Sequence, residues 1–544
     1  MDQVRARAER AKRNISSKKT RDGWILEKQP MTFADENSWS NRDSDVTPLE
    51  RRTWSSWTIL GYWFSDVLSA QSWSGASAII AVGLTWRESV YCLILGTLVV
   101  TIPLTMNGAM GAKLHVPFPI GSRASFGFYF SRFAVIIRMT YSGSTAMTQM
   151  IRAIWPSYLN IPNRLPASAG ITTQQMVSHF LFWSIQFPIL LIPPHKLRWF
   201  FVFKTIVVLT AAVGTIIGMS KLASGTGDIW DQQPTVTGAT KSWLILSSMS
   251  SMTGGWATMA TNVADFTRYM QEPTGVYWQA LFVPVICTLI GVFGIIGTSC
   301  AKVVYGTYIW DPLALAAMWD GPGGRAAAFF VGFAWCVAQI GVNLSANVIS
   351  CSNDMVSLCP KYISIRRGVV LTTVIGGWVM VPWKIVHSAA SLLNFMGALG
   401  VFLAPVAAIM ACDFWVVRKR AVDVPALYRR DARYRYNTAG TNWRAVIALV
   451  VSFVPNLPGL AAAVTPSLNI GGAAYIYDMF YLYGFTSAFL VYAALSWIWP
   501  ARETLISECI FEDVVVVDGV EKINDGVAHE KRIDAKIFED GKVV

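Results

Sequence analysis

The sequence predicts an all-α polytopic membrane protein with about twelve transmembrane helices. Three observations predict it. The 544 residues are 53% hydrophobic and only 14% charged, and mean hydropathy is +0.42, where soluble domains carry roughly 25% charged residues. From Trp54 to Pro500, apolar runs near the length of a bilayer-spanning helix alternate with short polar links. Lys and Arg gather in alternate links, as orientation in a membrane requires.

Residues 1–53 form a basic, polar N-terminal tail that is expected to be cytosolic. No apolar core of signal-peptide type follows its charged start closely. The expected spans one to twelve are 57–80, 88–106, 131–155, 174–194, 200–219, 243–266, 276–299, 326–350, 368–384, 388–412, 444–462 and 476–498. Together they make 54–500 a single transmembrane domain, and 501–544 a second cytosolic tail. An even count puts both termini on one side. With that side cytosolic, the inward links hold Lys113 and Arg123, then Lys196 and Arg198, then Lys361, Arg366 and Arg367. The link after span ten adds a dense run from Arg418 to Arg435, whereas "AVTPSLNIGGAAY" between the last two spans has no basic residue. This pattern is positive-inside.

The formal charge of +12 does not point to nucleic acid, because the basic residues sit in links and tails and make no basic face on a soluble domain. Eight cysteines show no C-x-x-C, and the five histidines never pair at helical spacing. No metal and no cofactor is therefore expected. Nucleophile motifs and cofactor fingerprints are missing as well, so an enzyme is not expected.

Three spans are unusually polar. Span one contains "YWFSDVLSAQSWSGASA", with Asp66 and Gln71. Span six contains "LSSMSSMTGGWATMATNVADFTRY", with Gly255, Trp256 and Asp265. Span eight contains "AQIGVNLSANVISCSND", in which Asn343 and Asn347 lie four apart and share a helix face. Polar groups in hydrocarbon need partners or a water-lined cavity, so three such spans suggest one shared cavity. Interrupted helices in spans one and six, at corresponding places in two halves, are the pointer to a secondary transporter's site. On that reading "SSMTGG" lets span six open at Trp256. A carboxamide offers donor and acceptor together, which suits an amide or ureide ligand. Asp66 reads equally as a proton acceptor or as half of a structural ion pair, with Lys204 another charge inside a span. Asp265, near Arg268, reads as a structural or gating pair.

Several collinear motifs carry a resemblance. "GWATMATNVADFTRY", "GVNLSANVISCSNDM", "PKYISIRRG", "GGWVMVPWKI", "NWRAVIALVVSFVPNLPGL", "LPASAGITT", "PPHKLRW" and "VDVPALYRRDARYRY" together resemble the fungal uracil/allantoin permease (Fur-type) branch of nucleobase–cation symport family one. The resemblance implies a five-plus-five inverted repeat with the fold of the bacterial leucine transporter, plus two extra C-terminal helices. It implies proton-driven import of a small nitrogenous ring or ureide. It places substrate contacts at Trp256, preceded by Gly255, and at Asn347, with Gln149 from span three; Gln71 of the polar first span is expected to join them. Thr145 stands where the family's second stacking Trp is expected, which favours a ligand larger or less planar than uracil. Gly341 and Val342 stand where sodium-coupled relatives place hydroxyls, so no side-chain oxygen is offered to a hard cation there. The expected location is the plasma membrane, and the expected partners are small-molecule substrate, protons and lipid, with ubiquitin or trafficking factors on the tails. Two alternatives stay open: a vitamin- or nucleoside-like substrate of the thiamine or nicotinamide riboside class, and a transport-inactive ligand receptor.

Overall fold

The computed structural model describes residues 24–28, 30–34, 39–137, 162–192, 198–227, 235–379, 389–512, 514–517 and 520–523. Apart from a short antiparallel hairpin, Val514–Val517 with Val520–Ile523, the architecture is helical. Span two is the helix Trp86–Leu114, span five Arg198–Leu222 and span seven Gln279–Tyr305. Span four is Thr173–Leu190, span ten Ala389–Cys412 and span twelve Phe480–Ile498. Span eleven runs as Trp443–Phe453 and Leu457–Val464 around Pro455, where a missing backbone N–H breaks the ladder. Span nine is described from Ile365 to Val379, and span three only at Ser131–Ile137.

Polar residues at the helix starts do what their spacing predicts. Ser55 with Thr58, Thr85 with Glu88 and Thr172 with Gln175 each close a capping box, satisfying backbone donors that hydrocarbon cannot. Seven helices among the described residues are long and apolar enough to cross a membrane. The others are interrupted, shorter or only partly described. Outward faces carry exposed Ile206, Phe330, Leu490 and Trp497, an apolar surface that lipid covers and water would not.

Inside, span seven packs on both halves of span one and on span two. Span six packs on spans two and ten, and span eight packs on span five. Asn107 of span two donates from Nδ2 to Ala260 O (2.8 Å) and Ala407 O (3.2 Å), tying spans two, six and ten together. Each bond satisfies a group that would otherwise sit unpaired in hydrocarbon.

The last stretch of the N-terminal tail is part of this body. Asn41 Nδ2 donates to Pro360 O (3.1 Å) and Ile363 O (2.9 Å) beyond span eight. Thr47 N donates to His115 O at the end of span two, and Trp54 N to Tyr269 O beyond span six. Tyr428, in the link after span ten, donates its hydroxyl to Ser44 O (3.0 Å). Residues 39–54 therefore lie across one end of the bundle and join the ends of four spans.

Candidate functional site

Span one breaks where the sequence is most polar. Its halves are Ser56–Val67 and Ala70–Ala81, joined through Leu68 (ψ 81°) and Ser69 (φ −142°, ψ 155°). The second half starts cleanly because Ser69 Oγ accepts the Ser72 N–H at 3.2 Å. The first half ends on carbonyls without helical donors. One of them, Ser65 O, accepts the ammonium of Lys204 from span five. A cation at a helix C-terminus is favoured by the helix dipole.

Span six is interrupted at one residue. Gly238–Gly255 and Ala257–Asn262 are helical, and Trp256 between them (φ −104°, ψ 3°) makes the bend. The stretch "SSMTGG" stays helical, contrary to the expectation that it opens. Its glycines serve close packing: a Cβ on Gly254 would lie 2.4 Å from Met396 O, and one on Gly255 2.5 Å from Met396 Cε. Small residues there let span ten approach the backbone of span six.

Span eight changes pitch at the same depth. Between Gly321–Val342 and Ser350–Leu358, residues Asn343–Ile349 form a π-helical turn. Such turns are rare and concentrate at functional sites. Ser345 in this turn donates its hydroxyl to Asp66 Oδ1 and lies 2.9 Å from Gly341 O. Asp66 is 2% exposed, and its Oδ2 has no hydrogen-bond partner among the described residues. Lys204 is fully buried and interacts electrostatically with Asp66. A Cβ placed on Gly341 would fall 2.5 Å from Lys204 Cδ and 3.0 Å from its Nζ. The lysine tip thus rests on the bare backbone of span eight, opposite the break in span one.

These three irregularities surround one cleft with an empty volume of about 760 Å³, open mouth included. Asp66 and Gln71 line it from span one, Gly255 and Trp256 from span six, and Asn347 from span eight. Five of the residues singled out in the sequence are thus brought together. Trp256 is held from behind by Trp63, edge-to-face at 6.1 Å, whose Nε1 donates to Gln279 Oε1 at 2.7 Å. Asn343 stands behind Asn347, accepting its Nδ2 at 3.0 Å. Asp265 lies elsewhere, at the C-terminal end of span six, where Oδ1 accepts the Phe118 N–H at 2.9 Å. Thr145 and Gln149 lie outside the described residues.

Other residues of the cleft escaped the sequence reading. Gln339 lines it one helical turn before Asn343, and Phe395, Met396 and Leu399 line it from span ten. Nothing in an apolar run such as "SLLNFMGALG" separates a cleft wall from a lipid face. A glutamine inside a span was a usable signal. The cleft offers an aromatic face, carboxamides and a buried carboxyl, a set suited to a small planar or near-planar polar compound.

A family model described as permease for cytosine/purines, uracil, thiamine, allantoin matches residues 45–501. The chain is 36% identical over 482 residues to an uncharacterized permease of Schizosaccharomyces pombe, covering 87% of this chain and 86% of that one. It is 30% identical over 527 residues to the allantoin permease of Saccharomyces cerevisiae, covering 92% and 82%. Among solved structures, it superposes on Mhp1, a nucleobase-cation-symport-1 family transporter, in a closed conformation with bromovinylhydantoin bound. The TM-score is 0.62 at 19% identity, covering 85% of this chain and 97% of that one. That likeness shows the fold.

Proposed function

Because the chain belongs to the family of permeases for cytosine/purines, uracil, thiamine and allantoin, we propose that this secondary transporter of nucleobase-like substrates imports a ring or ureide of the uracil/allantoin class across the plasma membrane by proton symport, with both termini cytosolic. The observation that carries the reading is the convergence of Trp256, Asn347 and Gln71 on one cleft whose wall also contains Asp66. Trp256 stacks on the ligand, and Asn347 and Gln71 hydrogen-bond its edge. Spans one, six and eight are irregular at this depth, so backbone groups are released where substrate and coupling ion meet.

Lys204 and Gly341 support this coupling. A side chain at position 341 and the Lys204 tip exclude each other, since an added Cβ would overlap the lysine. Gly341 therefore leaves room for a tethered cation on Ser65 O, in place of a free one held by hydroxyls. Asp66 then exchanges the proton. When protonated it no longer balances Lys204, so proton occupancy is linked to the arrangement of the span-one break. Rocking one set of helices against the other around the cleft completes alternating access.

Uptake of radiolabelled uracil, allantoin, uridine, thiamine and nicotinamide riboside in cells lacking their own permeases tests the reading. Uptake that collapses with a protonophore and ignores replacement of sodium by choline supports it. A strict sodium requirement refutes the coupling. Asn347→Ala should raise the apparent KM about ten- to hundredfold, the cost of leaving a buried polar ligand group unpaired.

A further inference from the structure

Behind the cleft runs a line of carboxamides of which the substrate reading uses only Asn347. Gln186 projects from span four on the buried stripe of Ser178, His179, Phe182 and Leu190, and is 7% exposed. Its Oε1 accepts Asn343 Nδ2 at 3.0 Å. Asn343 Oδ1 accepts Asn347 Nδ2 at 3.0 Å and Gln339 Nε2 at 3.4 Å. Asn347 and Gln339 both line the cleft. The chain of amides thus enters from span four, crosses the π-helical turn of span eight and ends at the cleft.

The order of these bonds has a direction. A carboxamide has two ends of nearly the same shape but opposite hydrogen-bond character. An isolated Asn in a binding site turns over at small cost and presents either edge. Here two N–H donors converge on Asn343 Oδ1, and its own N–H is received by Gln186 Oε1. Turning Asn343 over would set its NH2 against two other NH2 groups and its carbonyl against a carbonyl. In a low-dielectric interior each such mismatch is costly, and correctly ordered bonds reinforce one another. Gln186 Oε1 supplies the acceptor at the far end of that order.

We infer that Gln186 is a positioning residue for substrate recognition. Its side-chain carbonyl fixes Asn343 and, through it, the donor–acceptor order that Asn347 and Gln339 present to the ligand. The ligands selected are rings or ureides whose edge carries N–H and C=O groups in the matching order. Compounds of similar size with the order reversed are rejected, because they leave buried polar groups unpaired. This inference rests on the cleft being the substrate site.

The test uses the full-length protein in permease-deficient cells, with surface level read from a fluorescent fusion. The probe is whichever of radiolabelled uracil, allantoin, uridine, thiamine and nicotinamide riboside the wild type takes up best, with the other four as competitors. Gln186→Met keeps length and removes the acceptor; Gln186→Glu restores an acceptor oxygen. Gln186→Met at normal surface level is expected to raise the apparent KM about tenfold, leave Vmax within about twofold and compress the competitors' ranking. Gln186→Glu is expected to restore KM to within about threefold of wild type. A wild-type KM and ranking in Gln186→Met, with Asn347→Ala impaired, overturns the inference and leaves the substrate site standing. Unchanged KM in both variants overturns the site as well, as does a wild type that takes up none of the five. Failure of both Gln186 variants to reach the surface, or no rescue by Gln186→Glu at normal surface level, assigns Gln186 to helix packing and overturns the positioning role.

Discussion

The pairing of Asp66 with Lys204 can be separated from its surroundings by a double-mutant cycle of Asp66→Asn and Lys204→Met. Lys204 is fully buried and Asp66 nearly so. Each side chain also has a fixed neutral partner, Ser65 O for the ammonium and the Ser345 hydroxyl for the carboxylate. Removing one charge leaves the other in a low-dielectric interior, which costs about 3–5 kcal/mol. At roughly 2 °C per kcal/mol this lowers the melting temperature by about 6–10 °C. Removing both leaves no uncompensated charge, so the double variant should melt above either single one. The assay is a detergent melting curve of each purified variant, paired with the pH dependence of uptake. Asp66→Asn should lose the pH dependence while keeping measurable surface expression. Single losses that simply add in the double variant would show that the two charges do not interact. A normal pH profile in Asp66→Asn would remove it from coupling.

Three other outcomes are expected. Thr145→Trp should favour planar ligands over bulky ones by roughly 2- to 12-fold in competition assays, from a stacking gain of about 0.5–1.5 kcal/mol; high-affinity uracil uptake by wild type, unimproved by the substitution, would contradict this. His115 is held down to about 4 by burial and then by the charge of Arg52. It stays neutral in the fold while the unfolded chain protonates below about 6.5, so stability present above that pH falls by about 3 kcal/mol toward pH 4. His115→Asn, which tolerates the left-handed backbone at φ 54°, should flatten that decline in pH-resolved melting curves. Asn41→Ala removes the donor to two carbonyls beyond span eight and should cost about 1–3 kcal/mol, read as faster proteolysis of the N-terminal segment.

The glutamines mark where reading the chain reached its limit. Gln71 was legible because it sits in a span crowded with Ser, Asp and Gly. Gln186 was not, because "FLFWSIQFPILL" is apolar around it, and one amide in such a run reads as interhelical glue. Lys204 was visible as a charge inside span five, but its seat on Ser65 O depends on a helix more than a hundred residues away. In the sequence alone, the glycines of "SSMTGG" predict a place for the helix to open. Whether a glycine loosens a backbone or admits a neighbour depends on what lies against it, and here that is Met396.

The sequence by itself determined the solvent, the run of spans with their polar interruptions, and the aromatic and amide chemistry of the cleft. Hydropathy and residue type act locally, and each span has to satisfy the bilayer on its own account. The tertiary structure decided which polar faces meet: Asp66 with Ser345 and Lys204, Asn347 with Asn343 and Gln186, and the N-terminal segment with the ends of four spans. Those pairings join residues far apart in the chain, and only close packing of whole helices brings their donors and acceptors within hydrogen-bond reach.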